Sequence, residues 1–155
     1  MRLQLIAIAL VGIGFFSCAS QKESPDGSSI DPESARTFSD SLVDDIIHDR
    51  RQLIFTKLDA DFQRNASPQT VDSAIQAMFD NYGRPLECSY KKNDPGYKVD
   101  LGGKKPMRKF WYAAKTTKYP TGYYLFVEVV PNGASLRTTG FALVTFPNGA
   151  PPALQ

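Results

Sequence analysis

Two cysteines and one histidine are all that 155 residues contain of the thiols and imidazoles best suited to cross-linking, transition-metal binding and general-base chemistry near neutrality. A disulfide framework needs more cysteines than this, and a zinc or calcium site needs ligand clusters that are absent: His48 stands alone, and there is neither a Cys-x-x-Cys pair nor an acidic loop of calcium-binding spacing. The sequence has no phosphate-binding glycine loop, since "DLGGKK" lacks the spacing, and no nucleophile elbow or paired carboxylates. A formal net charge of +2 argues against a dedicated nucleic-acid binder. No cofactor is expected.

Long apolar runs are also missing, with one informative near-exception. Leu3 to Phe16, "LQLIAIALVGIGFF", follows Met1-Arg2 and is broken only by Gln4 and two glycines. As a helix it reaches about 21 Å, short of the ~30 Å hydrocarbon core. A short apolar segment behind one positive charge reads as a signal h-region, so residues 1–17 are expected to be a signal peptide.

Two cleavage modes compete at "GFFSCASQ". Ser17-Cys18-Ala19 satisfies an ordinary signal peptidase, although the apolar run ends at Phe16 and leaves almost no polar c-region. Phe15-Phe16-Ser17-Cys18 resembles a bacterial lipobox, with Ser17 in the usual small position and the two phenylalanines departing from the pattern. The resemblance implies membrane attachment through diacylglyceryl and acyl groups on Cys18. Ala19 rather than Asp after the cysteine implies the outer membrane, with the protein facing the periplasm; the alternative is a secreted or periplasmic protein. Lipidated or removed, Cys18 cannot pair with Cys88, which is expected to be a buried, inert thiol.

The polar, Ser- and Pro-rich residues 18–37 read as a flexible tether, 38–147 as one folded domain and 148–155 as a disordered tail. Ser39 is placed to cap a first helix, in which Leu42, Val43, Ile46, Ile47, Leu53, Ile54, Leu58 and Phe62 recur at helical spacing. Asp44, Asp45, Asp49 and Arg50 fall on its solvated side, with His48 beside them. A second helix is punctuated by Ser67 as N-cap, Pro68 as first residue and Gly83 as stop. From Leu86 the period becomes two. "NDPG" and "LGGKKP" are expected to fill a polar connection around a short strand at 97–101, before a meander of "RKFWYAAKTT", "GYYLFVEVV" and "ASLRTTGFALVTF". Helices first and strands after give an α+β fold.

That order, with "NYGRPLE" closing the second helix and "TGFALVTF" the last strand, resembles the cystatin-like, nuclear-transport-factor-2-like class. The resemblance implies two N-terminal helices packed on a curved antiparallel sheet of about four strands, a cone that often holds a pocket. Steroid-isomerase-type members use an acid and a tyrosine there, which implies a pocket enzyme using Glu128 with Tyr90 or Tyr112 as the alternative function.

On the third long run, Tyr123, Leu125, Val127 and Val129 make the core face, while Tyr124, Phe126 and Glu128 align on the other. Phe110, Trp111 and Tyr112 in succession must project to both faces. A ligand or partner surface is therefore expected among Tyr90, Trp111, Tyr112, Tyr124, Phe126 and Glu128. Charge is asymmetric: residues 31–62 sum to −4 and residues 91–118 to +7. Lys104, Lys105, Arg108 and Lys109 are the candidate patch for an anionic partner, against the simpler role of lysines that guard a sheet edge. The function expected is a lipid-anchored envelope protein with a non-enzymatic domain that binds an envelope protein, a polyanion or a small ligand.

Overall fold

The computed structural model describes residues 30–100 and 103–146. Cys18, the expected signal peptide at 1–17 and the expected tail at 148–155 lie outside the described residues. Among the described residues, four helices precede four strands: α1 Pro32–Ile47, α2 Arg51–Lys57, α3 Ala60–Asn65, α4 Pro68–Tyr82, β1 Pro85–Asp100, β2 Gly103–Thr116, β3 Tyr123–Asn132 and β4 Ser135–Thr145. The strands form one antiparallel meander in the order β1-β2-β3-β4. The fold is α+β. No described helix is long and apolar enough to cross a membrane.

The helical region differs from the two expected helices. α1 begins seven residues before Ser39, because Asp31 caps it by accepting from the Ser34 N–H at 2.7 Å and Pro32 occupies the first turn. Residues 32–37, expected in the tether, are therefore helical. The continuous first helix also breaks twice. Asp49 takes a left-handed backbone conformation, φ 55°, between α1 and α2. Leu58 is extended and forms a parallel bridge to Thr138, after which Asp59 caps α3 by accepting from Phe62 N at 2.9 Å.

The first of these breaks buries Asp45, expected in solvent, to 2% exposure. Its Oδ1 accepts from Arg50 at 2.9 Å and its Oδ2 from Lys57, whose Nζ also donates to Ser41 Oγ at 2.7 Å. A buried carboxylate persists only when so partnered. α4 starts at Pro68 behind the Ser67 cap and stops at Gly83, as its punctuation indicates.

β1 is a single strand through "NDPG", not a loop with a short strand inside it. Proline lacks an N–H, but β1 is an edge strand, so Pro95 can stand opposite Arg108 without leaving a ladder bond unmade. The core lies between α1, α2 and α4 and one face of the sheet. It joins Leu42, Val43, Ile46, Ile54, Val71 and Ile75 to Phe110, Tyr112, Leu125, Val127 and Leu143. The two edge strands share one contact residue: Asp59 donates its N–H to Thr138 O of β4 at 2.9 Å, and its Oδ2 lies 3.2 Å from Lys98 Nζ of β1.

Candidate functional site

Strand alternation divides the six candidate residues between two faces of the sheet. Tyr112 pairs with Leu125, Trp111 with Phe126, Ala113 with Tyr124 and Lys109 with Glu128. Cross-strand partners point the same way. Tyr90 and Tyr112 thus belong to the helix-covered face, and Trp111, Tyr124, Phe126 and Glu128 to the outer one.

On the inner face, the Tyr112 hydroxyl lies 2.8 Å from Ser39 Oγ and 2.7 Å from Asp40 Oδ1. Tyr90 meets it edge-on at 5.9 Å, and the Arg36 guanidinium lies 3.4 Å from the Tyr90 ring centre while its Nε binds both Asp40 oxygens at 2.8 Å. Asn93 donates to Tyr90 Oη at 2.9 Å and accepts from Arg108 Nη1 at 2.9 Å; Arg108 Nε also donates to Ile30 O at 3.2 Å. This network ties the start of α1 to β1 and β2, and burial raises the Tyr112 pKa. Cys88 sits on the same side among core residues, and burial pushes its thiol up to about 12, which removes thiolate reactivity near neutrality.

The outer face carries an aromatic cluster. Trp111 lies 5.5 Å from Phe126 and 5.6 Å from Phe146, and Phe146 lies 5.8 Å from Tyr124, all in tilted or edge contacts. Trp111 Nε1 donates to Asp94 Oδ2 at 2.9 Å, which fixes the indole, and Lys92 Nζ lies 2.8 Å from the same oxygen. Among the described residues, the helices cover the opposite face. Beside Tyr124 a groove of about 440 Å³ opens, floored by Ser89 and Ala113 and walled by Glu87, Lys91, Lys115 and the Pro120–Gly122 loop. Phe146, one residue beyond β4, was not among the expected site residues. Its place in the even series after Ala142 and Val144 is the signal that would have found it.

Glu128 does not meet either tyrosine. Its Oε1 lies 2.8 Å from Lys109 Nζ and its Oε2 accepts from Thr139 Oγ1 at 3.4 Å, with Tyr90 and Tyr112 on the far side of the sheet. The acid-and-tyrosine pair implied by the resemblance is therefore not assembled, because side chains on opposite faces of one sheet cannot share a pocket.

The basic quartet is likewise divided. Arg108 is engaged on the inner face and Lys109 on the outer, where its Nζ stands 4.7 Å from the Phe126 ring centre. Lys104 lies over Tyr97 at 3.9 Å near the end of the first hairpin, and Lys105 pairs with Lys98. The four do not form one patch. His48 is exposed, 3.0 Å from Asp44 Oδ1.

No protein-family model and no curated protein matches this chain. Among solved structures, that of Aln2 from a Streptomyces species is similar with a TM-score of 0.47 at 10% identity, over 76% of this chain and 93% of that one.

Proposed function

We propose that this is a lipid-anchored cell-envelope protein whose folded domain binds a ligand or partner without catalysing a reaction. The observation that carries the binding half is the outer face of the sheet, where four aromatic rings touch one another with no described helix over them. Aromatic side chains held rigid by packing and by an indole hydrogen bond offer a large contact area at small entropic cost, which suits a recognition surface. The adjoining groove supplies a polar rim from Glu87, Lys91 and Lys115.

The anchoring half rests on the leader. Cys18 would carry the acyl groups, the polar residues after it would act as the tether, and the domain would stand in the periplasm off the outer membrane. The domain is in this reading a cystatin-like cone. In support, one residue, Asp59, contacts both edge strands, through its N–H to β4 and through its carboxylate to the Lys98 side chain of β1. Glu128 takes no catalytic part: a pocket base needs apolar walls and an uncommitted carboxylate, and Lys109 lies against this one.

Recovery of the protein from its own envelope, with mass spectrometry of what accompanies it, tests both halves. Trp111→Ala is expected to lose the bound material and Glu128→Gln to keep it; the reverse pattern overturns the assignment. Cys18→Ser is expected to move the protein out of the membrane fraction and abolish fatty-acid labelling. Retention on the membrane at mature size sinks the anchor.

A further inference from the structure

The two edges of the sheet are finished differently. β1 carries Pro85 and Pro95, a register shift around Lys91, and Lys91, Lys92 and Lys98. These are the devices by which natural edges refuse another strand. Among the described residues, β4 is covered only near its start, where Thr138 bridges Leu58 and its carbonyl accepts from Asp59, and its register with β3 shifts once, at Thr139. From Gly140 to Thr145 it reads Gly-Phe-Ala-Leu-Val-Thr, without charge, proline or irregularity in its register with β3. Among the described residues, nothing pairs with the outer side of that stretch.

The open window has two fixed ends. Thr138 is taken at one, and at the other Phe146 leaves the strand to rest on Trp111 and Tyr124. The residues between them are centred on Ala142. We propose that a second copy of this chain pairs here, β4 against β4 in antiparallel register, across a two-fold axis at Ala142.

A two-fold contact must be self-complementary, each residue of a pair meeting its counterpart twice. With Ala142 opposite itself, Val144 stands opposite Gly140 and Phe141 opposite Leu143. On the outer face the branched Val144 meets a position with no side chain, where an added Cβ has only Glu128 Oε2 near, at 4.0 Å. On the inner face an aromatic meets an aliphatic, a favourable cross-strand pair, and no like charges face each other. Moving the centre to Phe141 would require Thr138, already bonded to Asp59, and moving it to Leu143 would pull Phe146 off Trp111. Pairing residues of equal parity keeps the helices of both copies on one side and joins the two aromatic outer faces into a single surface.

The test uses the full chain produced in a bacterial envelope, with Cys88→Ser as background; Cys18, whether lipidated or removed, offers no thiol. Facing Cα atoms of an antiparallel pair lie about 4.5–5.5 Å apart, within disulfide reach. Ala142→Cys is expected to give a disulfide-linked dimer on oxidation and Val144→Cys none. Sedimentation is expected to show a dimer, and Val144→Lys, which leaves the protomer's own core untouched, to weaken it by about tenfold or more. A monomer at high concentration overturns the proposal, as does a dimer whose 142 thiols do not join. Protection from hydrogen exchange, in a monomer, of those 140–145 amides that point away from β3 would overturn it too, by showing that the chain's own residues cover the edge.

Discussion

The hydroxyl of Tyr112, in the middle of β2, lies 2.7 Å from Asp40 Oδ1 on α1. Tyr112 is 2% exposed and Ser39, its other partner, is fully buried, so the Tyr112–Ser39 hydrogen bond replaces water that neither of these two groups can reach. Tyr112→Phe strips the hydroxyl and leaves Ser39 without its partner. The expected loss is about 1–2 kcal/mol, read as a lower urea midpoint at unchanged slope. An unchanged midpoint would show that the hydroxyl contributes nothing net.

Cys88 governs part of the alkaline limit. Its folded pKa is pushed up by burial from 9.0 to about 12. Between those values the unfolded chain releases a proton that the folded chain keeps, so stability is complete below pH 9 and is lost as pH rises toward 12. The slope expected from this group is at most about 1.4 kcal/mol per pH unit. Cys88→Ala should flatten denaturation measured across that range by this amount; an unchanged slope would show that the thiol titrates alike in both states. Tyr112, raised by burial in the same sense, adds a steeper fall beyond pH 10.

Asp45 is the buried charge with the most to lose. Asp45→Ala leaves Lys57 and Arg50 without their shared acceptor at the α1–α2 corner, but both cations are partly exposed and Arg50 keeps Asp44 at 2.7 Å, so about 1–2 kcal/mol of destabilisation is expected. Lys57→Met should cost less, because Arg50 still pairs with the carboxylate. Thermal melts of the two variants check the order.

Gly83 ends α4 at φ 80° and ψ 155°, a conformation open essentially to glycine alone. A Cβ there would meet Lys118 N at 2.7 Å and Thr117 Oγ1 at 2.8 Å. Gly83→Ala is expected to cost about 1–3 kcal/mol from backbone strain, with the crowding added to it. Chemical denaturation measures it, and a cost under a few tenths of a kcal/mol would contradict the geometry.

The elements legible in the sequence are those whose signals are local. α4 announces itself through Ser67, Pro68 and Gly83, and alternation along β3 correctly assigns Leu125 and Val127 to the core. Asp31-Pro32 carries the same cap-and-proline signal as Ser67-Pro68, yet it lies in a stretch whose composition reads as linker, and only the Asp31 to Ser34 hydrogen bond distinguishes a cap from a turn. "NDPG" reads as a turn for the opposite reason: its residue types favour turns, but fourteen partner pairs along β2 hold it extended. Of the site, the outward set Tyr124, Phe126 and Glu128 was readable from period two. The separation of Tyr90 and Tyr112 from Trp111, and the return of Phe146 onto it, were fixed by register between strands distant in sequence.

By itself the sequence determined the apolar run ahead of Cys18, the passage from helices to strands, the caps of α4 and the two-faced character of β2 and β3, because each follows from short-range sterics or from a pattern inside one segment. Tertiary structure decided which of those two faces the helices cover, that Asp45 is buried on Arg50 and Lys57, and that Glu128 faces Lys109 while Tyr112 turns inward to Asp40. Alternation distinguishes two faces without saying what covers each, and a buried polar group is stable only once its partners arrive from elsewhere in the chain.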